Sequence, residues 1–136
     1  MKEDNNTEKM FADLIVDKAT PPNLKLCKEI IEPYLKIDKE GGIEPNDKFQ
    51  NLTGDRNIGV YLVARKVMYI LRYLSSEKIS ENEIVKIIGI PLGSVRGYCG
   101  SSLKKFIKNE EGYFLLNYKL KGFKDYLEAK KKWATL

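Results

Sequence analysis

The chain has 136 residues, of which 43% are hydrophobic and 32% charged, and its formal net charge is +5. This length predicts one soluble domain, or a small domain with a helical extension, that buries a core without disulfide or metal support. The sequence contains no histidine, which excludes the commonest zinc ligand, the commonest general base and the Ser-His and Cys-His nucleophile pairs. We therefore expect a protein that is not an enzyme and that holds no metal or other cofactor.

Charge is distributed unevenly along the chain. Residues 1–53 carry 8 lysines and 11 acidic side chains, or −3, whereas residues 54–136 carry 16 basic and 8 acidic side chains, or +8. A basic segment of this kind is typical of proteins with a polyanionic partner, although a general excess of lysine produces the same asymmetry. Cys27 and Cys99 lie far apart and form no CxxC pair, so we expect two buried thiols in a reducing, cytoplasmic protein.

The N-terminal part of the chain is predicted to be helical with a connecting loop. Its opening nine residues are acidic and polar, so no signal peptide is expected. Apolar residues at helical spacing predict a helix over 7–18 and a second over 23–36, which Pro33 should kink or end early. The sequence IDKEGGIEPND at 37–47 predicts a loop, because of its glycine pair and proline, and a short helical turn follows over 47–52.

The strongest predicted helix covers residues 58–74. Arg65, Lys66 and Arg72 interrupt its apolar surface only along a narrow strip, a pattern typical of a helix that is buried on most sides. The same charges, with the short length of the apolar stretch, argue against a membrane-spanning segment. Arg65 and Arg72 are expected to pair with acidic residues of segment 1–53, with DNA contact as the alternative.

Two consecutive short helices are predicted next. Ser80 and Glu83 have the S-x-x-E spacing of a capping box, which opens the first helix. Gly89 suits the left-handed residue that ends it, and Pro91 suits the start of a second helix over 92–108. Two helices joined by a turn of about three residues are typical of the helix-turn-helix arrangement.

A β-hairpin and a last helix complete the predicted elements. The sequence FIKNEEGYFLL at 106–116 combines strand-forming apolar and aromatic residues with the turn residues NEEG. A final helix is predicted over 118–133, with Leu120, Phe123 and Leu127 on one face and lysines around the rest. The predicted fold class is therefore mainly α with a small β-hairpin.

Residues 81–116, ENEIVKIIGIPLGSVRGYCGSSLKKFIKNEEGYFLL, resemble a winged helix-turn-helix domain of the archaeal and bacterial transcription-regulator type. With the preceding helix the resemblance covers residues 58–116, under half of the chain. Together with the predicted elements, it divides the chain into a helical N-terminal extension at 1–53, a winged helix-turn-helix domain at 54–117 and a C-terminal helix at 118–136 that we expect to pack on the same domain. The resemblance itself implies the winged helix-turn-helix fold of the middle part. It also implies that residues near the start of the second helix enter the major groove of duplex DNA.

The second helix of the predicted helix-turn-helix, over residues 92–108, is predicted to have two different sides. Val95, Cys99, Leu103 and Phe106 form an apolar inward stripe, whereas the opposite side has small, hydroxyl and basic residues and no acidic residue. We call this opposite side the basic face; it comprises Gly93, Ser94, Arg96, Gly97, Gly100, Ser101, Lys104, Lys105 and Lys108. Small residues allow close approach to a groove, arginine can bind guanine, and hydroxyls and lysines can contact phosphates. We predict that Ser94, Arg96, Gly97, Ser101, Lys104, Lys105 and Lys108 bind DNA.

The predicted function is non-catalytic binding of double-stranded DNA in transcription regulation. Gly93 and Gly97 also have the spacing of a close helix–helix contact, and a homodimer through the N-terminal or C-terminal helices is a second candidate partner. Glu110 and Glu111 at the hairpin tip would repel phosphate, which favours a protein–protein interaction module as the alternative function. RNA binding is the third hypothesis.

Overall fold

The fold is described from a computed structural model, over residues 7, 9–14 and 21–134, with side chains as far as residue 129. In this part of the chain the helices are α1 (Leu24–Ile31), α2 (Asp47–Gln50), α3 (Gly54–Ile70), α4 (Glu81–Ile88), α5 (Leu92–Cys99) and α6 (Leu120–Ala134). The strands are β1 (Leu35–Ile37), β2 (Ile43–Pro45), β3 (Ile107–Asn109) and β4 (Tyr113–Leu115), paired as two antiparallel hairpins. The predicted mainly α fold with a small hairpin is confirmed, and a second hairpin accompanies it.

The N-terminal helices differ in extent from the prediction. Of the helix predicted over 7–18, residues 7 and 9–14 are described, with a 3-10 turn at Ala12–Leu14, and the remainder lies outside the described residues. Helix α1 begins after Asn23, whose side-chain oxygen accepts the N–H of Leu26 at 3.1 Å. It ends early at Ile31, as predicted: Glu32 is still in helical conformation and bonds to the carbonyl of Lys28, but Pro33 has no N–H to continue the helical hydrogen bonds.

The stretch after α1 corrects two predictions. The helix does not continue to residue 36, and residues 37–47 are not simply a loop, because β1 and β2 form the first hairpin here. Its turn is closed by the carboxylate of Asp38, which accepts the N–H of Glu40 at 2.5 Å, and Gly41 adopts φ +89°. Glycine tolerates this left-handed conformation without strain. The predicted helical turn at 47–52 is confirmed as α2.

Helix α3 lies at the centre of the molecule and is buried on most sides, as predicted. It begins at Gly54 and ends at Ile70, so both predicted ends were placed four residues too late. Helices α1, α4 and α5 and strand β4 pack against it. Its fully buried apolar residues include Ile58, Val60, Val63, Ala64 and Met68. The core is one continuous cluster that extends from α1 to α6.

The cations of α3 hold the connection to α4 in place. Arg65 is buried and donates hydrogen bonds to the carbonyls of Ser76, Glu77 and Lys78 at 3.0–3.2 Å, and to the hydroxyl of Tyr61 at 3.2 Å. The prediction that Arg65 pairs with acidic residues of segment 1–53 or with DNA is therefore wrong. Its guanidinium satisfies loop carbonyls, which sequence spacing alone does not reveal.

Lys66 is the second buried cation of α3. It is only 1% exposed, and its Nζ lies 2.7 Å from Oε1 of Glu77 and 2.6 Å from Oδ1 of Asn117. Arg72, the third charge that interrupts the predicted apolar surface, lies beyond the helix end, where it is exposed and adopts φ 65°. The strip of charge predicted from the sequence thus consists of two structural cations and one solvated residue.

The N-terminal turn of α3 is joined to α6 by a polar network. Asp55 accepts hydrogen bonds from the hydroxyls of Tyr126 and Thr53, and Arg56 stacks 4.0 Å from the Tyr126 ring centroid. Burial alone would raise the pKa of Asp55, but the hydrogen bonds from Thr53 and Tyr126 outweigh it and hold the pKa below its ordinary value. Asp55 is therefore a carboxylate that fixes α6 against α3.

Candidate nucleic-acid interface

Helix α4 and the turn that leads into α5 are built as the sequence predicts. The hydroxyl of Ser80 accepts the backbone N–H of Glu83 at 3.2 Å and opens α4. Gly89 follows the helix with φ 78°, and Pro91 directly precedes α5. Ile84 and Val95 are fully buried where these helices pack. The three-residue turn therefore presents the outer side of α5 away from the core.

Helix α5 is half as long as predicted. It ends at Cys99, and residues 100–106 follow as a series of turns rather than as helix. The hydroxyl of Ser101 donates to the carbonyl of Gly97 at 2.6 Å, and the N–H of Leu103 bonds to the carbonyl of Tyr98 at 2.9 Å. The sequence Gly-Ser-Ser has low helix propensity, and these local bonds replace the helical ones.

The predicted inward stripe is nevertheless correct. Val95, Cys99, Leu103 and Phe106 are all buried, although only the first two belong to α5. The spacing of apolar residues therefore identified the buried positions even where the backbone is not helical. The basic face is therefore not one helical surface from residue 92 to residue 108. Its members are divided among α5, the turns after it and strand β3.

The first part of the basic face is an open helix surface. A side-chain carbon built on Gly93 or on Gly97 would meet no atom within 4 Å among the described residues. Arg96 lies between them with its side chain 62% exposed, Ser94 is half-buried and Ser101 is exposed. Ser94, Arg96 and Gly97 thus share the short helix α5, and Ser101 is tied to it through Gly97.

One acidic residue reaches this surface from the neighbouring helix. Oε2 of Glu81, at the start of α4, lies 3.0 Å from Nε of Arg96. Helix α5 itself contains no acidic residue, so the spacing of residues within this one helix does not predict the pair. The signal was present in the predicted geometry, since a helix-turn-helix brings the start of the first helix near the second.

The three lysines of the basic face have different surroundings. Lys104 is exposed, whereas Nζ of Lys105 lies 5.1 Å and 5.9 Å from the ring centroids of Phe106 and Tyr126, beside α6. Lys108 is on β3, and its Nζ lies 2.7 Å from Oε1 of Glu110. This hydrogen bond and charge raise the pKa of Lys108 and lower the pKa of Glu110.

The hairpin predicted at 106–116 is confirmed. Ile107 pairs with Leu115, and Asn109 accepts the N–H of Gly112 at 3.1 Å to close the turn. Tyr113 also exchanges backbone hydrogen bonds with Ile79, just before α4. The hairpin is therefore attached to the start of the α4–α5 pair, and its tip carries Glu110 and Glu111.

The described residues offer little to redox or metal chemistry. They contain no group of three or more histidine, cysteine, aspartate or glutamate residues that could hold a metal ion. Cys27 and Cys99 are buried, and burial raises the pKa of each thiol to about 11. Both thiols are therefore protonated near neutral pH and are weak nucleophiles.

No protein-family model, curated protein or solved structure matches the chain. Within the part of the chain that the structure describes, no helix is long and apolar enough to cross a membrane. The function is therefore inferred from the geometry and charge of the residues described above.

Proposed function

We propose that the protein binds double-stranded DNA without catalysing a reaction, in transcription regulation, and that residues 54–117 are a winged helix-turn-helix domain. The order of α4, a three-residue turn, α5 and the β3–β4 hairpin supports this assignment. In this arrangement α5 enters the major groove with its outer side. Ser94, Arg96 and Gly97 are then the residues nearest the base edges.

The observation that carries the proposal is the open surface of α5. Gly93 and Gly97 lower the helix propensity of α5, yet no described residue of the chain packs against them. Their small size therefore serves no contact within the described part of the molecule. It does clear the backbone for a partner, and the exposed Arg96 between them offers the donors that guanine accepts in the major groove.

The charge of the chain supports the same partner. Arg56, Arg65 and Lys66 are buried in structural contacts, so the attraction for phosphate must come from exposed cations. Lys104 and Lys105 are exposed in the turns that follow α5, from where they can contact phosphates of the DNA backbone. Such contacts add affinity that falls with salt and does not depend on base sequence.

Fluorescence anisotropy with a random-sequence DNA duplex across a salt series tests the proposal. A protein that contacts about five phosphates should lose affinity with a log–log slope of about −4.5. Reversing Lys104 and Lys105 to glutamate should reduce the size of that slope by about 2. The matched control reverses Lys36 and Lys39, which are exposed on the first hairpin, and should leave the slope nearly unchanged.

The two possible failures have different meanings. Absence of binding at low salt would contradict DNA binding altogether. Equal effects of the two charge reversals would instead contradict the position of the interface and leave only nonspecific attraction. Tighter binding of a single-stranded RNA of the same length would favour the RNA hypothesis.

A protein–protein interaction module is the second candidate function. The hairpin tip supports it, because Glu110 neutralises Lys108 and leaves Glu111 to face an approaching phosphate backbone. Apolar side chains are also exposed on the N-terminal segment, where Met10 and Leu14 are both 73% exposed. A concentration-dependent dimer in sedimentation equilibrium, without any DNA binding, would favour this function over the first.

A further inference from the structure

A cleft of about 300 Å³ lies between the first hairpin and the end of α4. Its walls come from residues 41–43 and Pro45 of the first hairpin, from α2, from the first turns of α3 and from the last residues of α4. This volume is at the lower end of the range for small-molecule sites, about 300–1,000 Å³. The cleft shares no residue with the basic face.

The described residues that line the cleft are all uncharged, although 32% of the residues in the chain are charged. A binding site for phosphate or carboxylate would need arginine, lysine or a cluster of N–H donors. The lining has neither arginine nor lysine, so it favours a neutral ligand over an anionic one. Phe49 and Tyr61 contribute buried aromatic rings, and Ile43 and Ile87 contribute aliphatic walls.

A polar side chain without a partner gives the cleft its chemical preference. Asn57 lines the cleft, and its Oδ1 is buried without a hydrogen-bond donor among the described residues. A buried acceptor without a donor is unfavourable, so a rotation of the Asn57 side chain that brings Oδ1 to a ligand N–H in the cleft gains a hydrogen bond. The side-chain amide offers an acceptor and a donor next to each other. Its complement is a ligand edge with a donor beside an acceptor.

The wall of the cleft formed by the first hairpin is fixed before a ligand arrives. A side-chain carbon on Gly41 would lie 2.8 Å from Cδ2 of Leu74 and 3.1 Å from the carbonyl of Tyr73. The turn therefore packs against the segment after α3, and the opening does not depend on a mobile loop. A preformed site loses little free energy to ordering when it binds.

We propose that this cleft binds a small, neutral, planar molecule with an amide-like edge, the class that includes free nucleobases and aromatic carboxamides. The donor of that edge bonds to Asn57, the acceptor faces the Asn57 amide N–H, and the flat ring lies between Phe49 and Ile87. Binding here does not require that the basic face bind DNA, because the two surfaces are separate.

Titration of the ¹⁵N-labelled protein, followed by amide chemical shifts, tests this site with four probes. Adenine and benzamide have the proposed edge, benzoate is charged, and toluene has no polar edge. Adenine or benzamide should shift the amides of residues 41–43, Asn57 and Ile87 with a dissociation constant of about 1 mM, as expected for ligands of this size. Benzoate and toluene should bind about ten-fold more weakly.

Variants distinguish binding in the cleft from nonspecific binding elsewhere on the surface. Asn57→Leu removes the amide and should weaken benzamide about ten-fold, whereas Asn82→Leu, at an exposed asparagine of α4, should not change it. Ile87→Glu places a charge at the mouth, where Ile87 is 44% exposed, and should also abolish the shifts; it tests the site even where Asn57→Leu fails to fold.

Three results would overturn the proposal. The first is the absence of shifts in the cleft with both adenine and benzamide at millimolar concentrations. The second is equal binding of toluene and benzamide, since the Asn57 amide would then make no contribution. The third is binding of benzamide that Ile87→Glu does not weaken. A preference for adenine over benzamide, or the reverse, identifies which branch of the ligand class the cleft accepts.

Discussion

Helices α3 and α5 contain the same kinds of residues in opposite surroundings. In α3, Lys66 is 1% exposed and is paired with Glu77, whereas in α5 the side chain of Arg96 is 62% exposed. A side-chain carbon on Gly59 of α3 would lie 2.2 Å from the ring of Phe123, but one on Gly97 of α5 would meet no described atom within 4 Å. Glycine and cations thus serve internal packing in α3, whereas in α5 they lie on a surface that the described residues leave uncovered at Gly97 and largely exposed at Arg96.

This difference shows how far net charge can serve as a sign of DNA binding. The +8 of residues 54–136 includes Arg56, Arg65 and Lys66, which are buried and which structural contacts already explain. Only the exposed cations are available to a polyanion. The position of each cation is therefore a better indicator of DNA binding than the total charge. Variants of α3 and variants of α5 test these two roles separately.

Loss of the Lys66 charge should have the largest effect on stability. In Lys66→Met the carboxylate of Glu77, which is 19% exposed at its side chain, loses its ion pair, and the amide oxygen of Asn117 loses its contact with Nζ. Removal of one partner from a buried ion pair typically costs about 3–5 kcal/mol. Because Glu77 is partly exposed, we expect a loss of about 3 kcal/mol in the free energy of unfolding. Urea denaturation of both proteins at one pH measures it.

The double variant Lys66→Met, Glu77→Gln provides the control. With both charges removed no unpaired ion remains, so we expect at least half of the lost stability to return. If the double variant were as unstable as the sum of the two single variants, the ion pair would not be the cause.

Gly59→Ala should be the next most damaging change. The added carbon overlaps the ring of Phe123, which cannot move freely because it also packs edge-on against Phe106 at 5.7 Å. Overpacking costs about 1–3 kcal/mol, and the gain in helix propensity of about 1 kcal/mol offsets only part of it. The 2.2 Å approach to Phe123 places the cost at the upper end of its range, so we expect a net loss of about 2 kcal/mol in urea denaturation. The double variant Gly59→Ala, Phe123→Leu should lose less stability than the sum of the two single variants, because leucine leaves space for the added methyl group.

The two hairpins explain which elements could be predicted from the sequence. The second hairpin was predicted because aromatic and apolar residues flank the turn sequence NEEG. The first was missed because its strands, Leu35–Ile37 and Ile43–Pro45, contain lysine, glutamate and proline, which are depleted in strands. It forms because Leu35 is buried in the core and the Asp38–Gly42 turn closes it, and tertiary contacts of this kind leave little trace in local composition.

The candidate interface was predictable only in part, because local sequence pattern does not reveal tertiary contacts. Apolar spacing identified the buried stripe and hence the outward position of Arg96. It did not identify the helix end at Cys99 or the approach of Glu81, because both depend on contacts outside α5. Local pattern predicts which side of an element is outside, whereas the partners on that side come from the fold.

In α5, Gly97→Ala should have opposite effects on stability and on DNA affinity. No described atom opposes the added methyl group, so the variant should gain about 0.5–1 kcal/mol of unfolding free energy from helix propensity. If the bare backbone approaches a DNA groove, the same methyl group should weaken DNA binding several-fold. Thermal denaturation and anisotropy measured on one preparation give both values. Higher stability with unchanged DNA affinity would show that close approach at Gly97 is not used.

Glu81→Gln should have the smallest effect on stability and should change DNA binding in the opposite direction. The Arg96–Glu81 pair is exposed, and such pairs contribute about 0.2–1 kcal/mol. Without the carboxylate, Arg96 is free to bind a base or phosphate, and one repulsive charge is removed from the proposed interface. We therefore expect DNA affinity to rise about three-fold, which is within the range that this energy allows.

Glu83→Gln is the matched control for this variant, because it removes one negative charge from the same first turn of α4 without a contact to Arg96. Both variants change the net charge equally, so general electrostatic attraction raises their affinity by the same factor. Only the loss of the Arg96 contact distinguishes them. Equal gains in affinity would mean that Arg96 does not bind DNA. A larger gain for Glu81→Gln, which disappears when Arg96 is also replaced by alanine, would place Arg96 in the interface.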